Sequence, residues 1–232
     1  MIRATFVYVF VGLYVLIMSP IAFLWAWLSG DTPFIYRAGR FCLYVAGWMC
    51  GVRVRVQGKE IFSSGQPFLF LSNHQGNLDA PVIICCVADR ELRALFKKEM
   101  MRIPVLPLAM KKVGFVPIDR TDPASAHASL HEGVQMLRDG HSFFAFPEGT
   151  RSRDGSLGPF KKGVFHMAIK AGVPVVPVTI KNTNVLQPPG SYRIRPGTVE
   201  VTFHSPIPTS ELHAEDRDRL IEAVRTAIAA AL

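Results

Sequence analysis

The stretch LSNHQGNLDAP, Leu71–Pro81, sets a histidine and an aspartate five residues apart, His74 and Asp79, with Asn73, Gly76 and Asn77 around them. On a regular helix five residues turn through about 500°, which would leave the two side chains roughly 140° apart. A turn would bring them together, and Gly76–Asn77 has the composition of one. A histidine oriented by a carboxylate does general-base chemistry. The same residues have a plainer reading, in which Asp79 N-caps a helix starting near Ala80, Pro81 sits in its first turn and His74 is incidental. Spacing alone leaves both open.

Other chemistries lack their signatures. The sequence has no G-x-S-x-G elbow, no G-x-x-x-x-G-K-[ST] phosphate loop and no G-x-G-x-x-G fingerprint, and HEGVQ at His131 lacks the second histidine of a zinc protease. Ser72 and Cys85 lie near His74 without a nucleophile motif, and the other six histidines read as surface or core residues. Cys42, Cys50, Cys85 and Cys86 form no C-x-x-C pair and sit in apolar stretches. They read as small hydrophobes in a reducing compartment, and neither a metal nor a cofactor is expected. What remains is one His–Asp pair and two arginines, Arg120 and Arg151, in loops that follow apolar runs. Such a set suits general-base activation of a hydroxyl on an anionic substrate.

The elements that must position these residues alternate in type. VRVRVQG (Val52–Gly58) reads as a half-exposed strand, PFLFLSN as a buried one, and residues 80–88 as a short helix. LRALFKK is a strand, MMRIPVLPLAMKKVG a proline-interrupted helical or irregular segment, and GFVPID again extended. Asp122–Pro123 opens a helix through Asp139 that Gly140 closes. HSFFAFPEG is a strand ending in a turn, KKGVFHMAIKAG a helix, VPVVPVTI a buried strand and TVEVTFHSP a late one, with a terminal helix over 210–232. The pattern predicts an α/β domain over 51–232, a mixed, largely parallel sheet flanked by helices. In such sheets chemistry gathers where strands end in loops, where SNHQGNLD, PIDR and FPEGTRS all fall.

Residues 1–50 read differently. Ala4–Gly30 is an uncharged run of 27 residues, reaching roughly 40 Å as a straight helix, enough to cross a bilayer. Pro20 predicts a kink or break within it. Phe41–Val52 is apolar but too short to span. Two arrangements are open: a single span, or a pair of helices that dips into one leaflet and returns. The run is too long for a cleaved signal peptide. Trp25, Trp27 and Trp48 mark interfacial depth. The 26 Lys and Arg against 18 Asp and Glu give a net charge of +8, and mean hydropathy is +0.24. Eight basic residues against three acids fall between Arg90 and Arg120, which suits lipid headgroups beside an anchor. With no zinc-finger or RNA-binding pattern, nucleic acid is not an expected partner. The positive-inside rule puts the basic domain on the cytoplasmic face of the inner or plasma membrane if the chain is bacterial.

NHQGNLD resembles the N-H-x-x-x-x-D block of the glycerolipid acyltransferases that act on 1-acyl-glycerol 3-phosphate. GFVPIDR (114–120), FPEGTRS (146–152) and VPVVPV (173–178) follow in the family's order, and FKKEM (96–100) is similar to its Lys-Lys-Glu-Leu segment, with Met100 in place of leucine. The resemblance covers about residues 67–178. It implies transfer of a fatty acyl group from acyl-CoA or acyl-carrier protein to lysophosphatidate, giving phosphatidate without a covalent acyl-enzyme. It implies His74 as general base and Asp79 as its orienting carboxylate, with Lys98, Arg120, Glu148, Gly149 and Arg151 binding substrate. Asn73, Gly76 and Pro177 would shape the site, with a backbone N–H of the His74 loop available to an oxyanion. Lys97, Lys161 and Lys162 read as solvated. Another acceptor (glycerol 3-phosphate, a lysophospholipid or a lyso-ornithine lipid) and a non-catalytic lipid-binding protein are the competing readings.

Overall fold

The computed structural model describes residues 2–87, 90–103, 105–119, 121–152 and 154–232, with backbone alone at 2, 3 and 63. Arg120 lies outside these residues. Seven strands form one sheet: β1 Val52–Gln57, β2 Leu69–Ser72, β3 Leu92–Lys97, β4 Val116–Ile118, β5 Ser142–Ala145, β6 Val175–Lys181 and β7 Gly197–Phe203. Their spatial order is β1-β7-β6-β2-β5-β3-β4. β2 to β6 all run one way, while β7 is antiparallel to β6 and parallel to β1. The sheet is mixed and largely parallel, as its buried apolar strands predict.

Both faces are covered, which is why β2 and β6 carry apolar residues at almost every position. Phe70, Val176, Val178 and Ile180 face one side, where Val82, Ile83 and Cys86 of helix α3 (Asp79–Cys86) join them. Leu69, Leu71 and Val175 face the other. There they meet Val134 and Leu137 of α5 (Pro123–Arg138), Phe165 and Met167 of α6 (Gly163–Ala171), and Leu220 and Val224 of α8 (Arg217–Ala229). Full burial of such side chains contributes about 1.5–3 kcal/mol each. Asp122 caps α5 by accepting from the Ala124 N–H at 3.0 Å, as the Asp-Pro pair predicts. The terminal helix starts later than its composition predicts, at Arg217 after a 3₁₀ turn over Ala214–Asp216. A one-turn helix after β6, α7 (Thr183–Leu186), has no periodic signal in so short a segment.

Residues before β1 form two helices, α1 (Ile2–Ser29) and α2 (Pro33–Met49). Helix α1 runs unbroken through Pro20, so of the kink or break the sequence predicts, the break does not occur. One proline removes one hydrogen bond, about 3 kcal/mol, whereas a break in an apolar helix would release several backbone groups. α1 is the one helix among the described residues long and apolar enough to cross a membrane. Yet both of its ends touch the domain. Its Tyr8 hydroxyl donates to the Tyr192 carbonyl at 2.9 Å. Ala22 and Ala26, roughly 21 Å along the helix, pack with Ile35 and Tyr36 of α2 and with Val113. Between these points Leu13, Leu16, Ile17, Ile21 and Leu24 are exposed. α2 in turn packs on α3, β1 and the helix after β3, α4 (Leu106–Lys112).

Candidate active site

The carboxyl ends of the five co-oriented strands lie along one sheet edge. The loop after central β2 carries Asn73 to Leu78, and its neighbours β5 and β6 contribute the turn from Phe146 and the segment from Asn182. Asn73 ties this loop down: its side chain donates to the Ile180 carbonyl and accepts from the Ile180 N–H, both at 2.8 Å. Gly76 is needed for the same closeness, because a Cβ there would stand 2.6 Å from the Thr183 carbonyl oxygen.

With the loop so held, Asp79 folds back on His74. His74 Nδ1 and Asp79 Oδ2 are 2.6 Å apart, with the carboxylate fully buried and the imidazole 20% exposed. Oδ2 also accepts from the N–H groups of Gln75 (2.7 Å) and Gly76 (2.9 Å). Asp79 is not a helix cap: Leu78 holds that position, and the N–H groups Asp79 binds lie upstream of α3. An aspartate accepting from Nδ1–H leaves the Nε2 lone pair of the neutral ring facing outward, the tautomer a general base needs.

Phe146 stacks on the His74 ring with centroids 3.9 Å apart and planes 9° from parallel. FPEGTRS was informative as a block, but nothing in it marks Phe146 as the histidine's second wall; an aromatic residue directly after a buried strand beside β2 was the available signal. Glu148 is buried and bridges two loops. Oε1 accepts from the His74 N–H at 2.7 Å and Oε2 from the Gly158 N–H at 2.8 Å. Arg225 of α8 holds that second loop through the Leu157 and Gly158 carbonyls. Gly149 has a left-handed φ of +71° and turns the chain at the close of the FPEG segment. The Ser152 N–H then returns to the His74 carbonyl at 2.7 Å.

Arg151 is exposed beside the pair, one guanidinium nitrogen bonded to Asn77 Oδ1. It lines an open groove of about 470 Å³ with Thr150, Ser152, Ser156 and Lys161. Lys161 is exposed, as read, and lines this groove with its stem against Gly149. Lys98 follows β3, two strands from β2 and so roughly 10 Å from the pair along the edge. It pairs with Asp119 at 3.1 Å. Hydrogen bonds from Thr121, then Lys98, hold that carboxyl well below its ordinary range. Pro177 stands inside the sheet in register with Leu71, the residue that opens the LSNHQGNLD stretch.

The N–H groups of His74, Gln75, Gly76 and Asn77 are engaged by Glu148, Asp79, Asp79 and the Gln187 carbonyl. Ser72 is fully buried and donates to the Asn73 carbonyl, and burial pushes the Cys85 thiol up to about 11. Neither is placed as a nucleophile. Among the described residues no cluster of three or more His, Cys, Asp or Glu side chains could hold a metal ion.

Glu148→Gln is expected to lower stability by about 1–3 kcal/mol, since its amide would point a donor at a backbone N–H in a buried site. For a chain of this size that is a melting shift of roughly 2–4 °C per kcal/mol. Burial holds the Glu148 carboxyl above its ordinary range, against the pull of the two N–H donors. The stability its protonated form contributes is complete below the unfolded value of about 4.3 and lost as pH rises through the higher folded value. The substitution should flatten that part of the pH–stability curve. Unchanged melts from pH 4 to 8 would mean that the bridge contributes nothing.

Residues 53–181 match the family model described as Acyltransferase, a span that contains all four sequence blocks. The chain belongs to this acyltransferase family. It is 41% identical over 174 residues to a chloroplastic 1-acyl-sn-glycerol-3-phosphate acyltransferase of Brassica napus, covering 73% of this chain and 50% of that one. Its identity to the mouse 1-acyl-sn-glycerol-3-phosphate acyltransferase alpha is 32% over 188 residues, covering 80% and 66%. The chain spans about half the length of its plant relatives from Brassica napus and Arabidopsis thaliana. The crystal structure of the 1-acyl-sn-glycerophosphate (LPA) acyltransferase PlsC from Thermotoga maritima superposes with a TM-score of 0.85 at 27% identity, covering 98% of this chain and 92% of that one.

Proposed function

We propose that this protein transfers a fatty acyl group from an acyl thioester, acyl-CoA or acyl-carrier protein, to the free hydroxyl of 1-acyl-glycerol 3-phosphate, giving phosphatidate. The observation that carries this reading is the 2.6 Å His74–Asp79 contact, made in the same loop whose Asn77 holds the exposed Arg151 guanidinium. The names of the relatives supply the acceptor.

In this reading His74 Nε2 takes the hydroxyl proton as the oxygen attacks the thioester carbonyl. Asp79 stabilises the imidazolium that forms. Collapse of the tetrahedral intermediate forms the ester and breaks the C–S bond, and the imidazolium returns its proton to the leaving thiolate. Arg151 holds the acceptor phosphate with its planar fork, joined by Arg120 and Lys98. Glu148 and Gly149 act on the acceptor through the loop geometry they set. The test offers purified protein a panel of acceptors with both donor types in parallel. Lysophosphatidate should be acylated fastest; turnover only on another acceptor would overturn the assignment.

Residues 1–50 are the membrane-anchoring element in this reading, and 51–232 the catalytic domain. With both ends of α1 against the domain, the helix lies in one leaflet and does not cross to the far side. Such an anchor is held by apolar burial, which salt does not screen, whereas surface charge is screened within about 10 Å at 0.1 M. High-salt washing is therefore expected to leave the intact protein on membranes. Complete release by salt would mean that α1 is covered by protein.

A further inference from the structure

Apolar residues are also exposed far along the chain from the two N-terminal helices. Between β3 and β4, Ile103 is 47%, Val105 39% and Leu108 63% exposed, although nothing in a water-facing surface favours three such side chains in six residues. This segment is physically continuous with the anchor. Ala109 and Val113, just beyond it, pack in one cluster with Ala22 and Ala26 of α1 and Ile35 and Tyr36 of α2. It is also ringed by cations: Lys97, Lys98, Arg102, Lys111 and Lys112 are all exposed. Of these, Arg102, Lys111 and Lys112 have no acidic partner among the described residues.

We propose that Ile103, Val105 and Leu108 form a second membrane contact, inserting into an anionic leaflet beside α1 and α2. The inference rests on the anchoring role given above to the N-terminal helices. Apolar side chains flanked by lysine and arginine fit a boundary between acyl chains and acidic headgroups, which attract basic residues. Ile103 follows the 3₁₀ turn Lys98–Arg102 at the carboxyl end of β3 and Leu108 lies in the first turn of α4, so insertion here turns the active edge of the sheet toward the leaflet. An acceptor then presents its phosphate and hydroxyl to the site while its acyl chain stays in the bilayer. A partner of a different class, an acidic carrier protein, would use the same cations but gain less from three protruding aliphatic side chains.

The experiment uses the full chain with its four native cysteines replaced and single new cysteines carrying an environment-sensitive fluorophore. The label sites are Leu108→Cys for the segment, Leu16→Cys for the anchor and Glu132→Cys on the exposed face of α5. On vesicles of phosphatidylcholine and phosphatidylglycerol, doxyl-labelled lipids should quench the Leu108 label and leave the Glu132 label untouched. A Leu108 label that stays unquenched, or that responds to acyl-carrier protein and not to vesicles, overturns the proposal. The Leu16 label separately reports whether the anchor reading holds. In a second arm, Ile103→Glu with Leu108→Glu should lower turnover of vesicle-borne acceptor at least tenfold, since burying one such side chain changes partitioning by roughly 10- to 150-fold. Turnover of acceptor dispersed in detergent should match the unsubstituted protein. Equal turnover in vesicles, or an equal loss in both formats, counts against the segment as a membrane contact.

Discussion

Asp79→Asn is expected to lower kcat by about 10²–10⁴-fold, with little change in either KM, the usual weight of a positioned general base. The geometry makes the substitution unusually informative. Oδ2 of Asp79 is met by three donors, His74 Nδ1 and the N–H groups of Gln75 and Gly76. An asparagine oxygen can still accept from them, but without the charge that stabilises an imidazolium. In the flipped orientation its amide points a donor at two backbone N–H groups. In that flipped state it also donates to His74 Nδ1, which moves the ring proton to the outer nitrogen and removes the base. The helix-cap reading predicts near-normal turnover, because asparagine caps as well as aspartate. His74→Ala should fall at least as far, and the double mutant hardly further, since residues acting as a unit are non-additive. The measurement is kcat for both singles and the double, with thermal melts to confirm folding. Retention of more than about a third of normal kcat by Asp79→Asn, against the expected loss, would sink the pair.

Arg151→Ala should raise the acceptor KM by roughly 10- to 150-fold, the equivalent of about 1.5–3 kcal/mol for a charged hydrogen bond to phosphate. The donor KM should move much less. The guanidinium is exposed at the groove, yet one end is already held by Asn77 Oδ1 in the same loop that carries His74. Part of its conformational entropy is thus lost before substrate arrives, and the fork is aimed relative to the base. Arg151→Lys should recover little, because a lysine is a point charge that cannot make the planar two-point contact. Kinetics in both substrates separate the cases: equal rises in the two KM values would remove Arg151 from the acceptor site.

Much of the architecture was legible because it depends on local pattern. Buried runs such as PFLFLSN and VPVVPVTI had to be strands covered on both faces, and Asp122–Pro123 and Gly140 bracketed α5 by backbone chemistry alone. The ordered blocks likewise named His74, Asp79, Glu148 and Arg151 from the chain itself. Sequence could not choose between pair and cap for Asp79, since that depends on how the 74–78 loop folds. The choice was made by two contacts across the sheet, the Asn73 clamp on Ile180 and the approach of Gly76 to Thr183, each spanning over a hundred residues. The same holds for Phe146, Lys161 and Arg225, which reach the site from β5, the groove wall and the last helix and carry no local signal of it. For the N-terminal helices, hydropathy fixed that an apolar surface exists. Only the contacts of Tyr8 and Ala22 decided which neighbours α1 packs on, because composition records what a helix avoids and not which neighbour holds its ends.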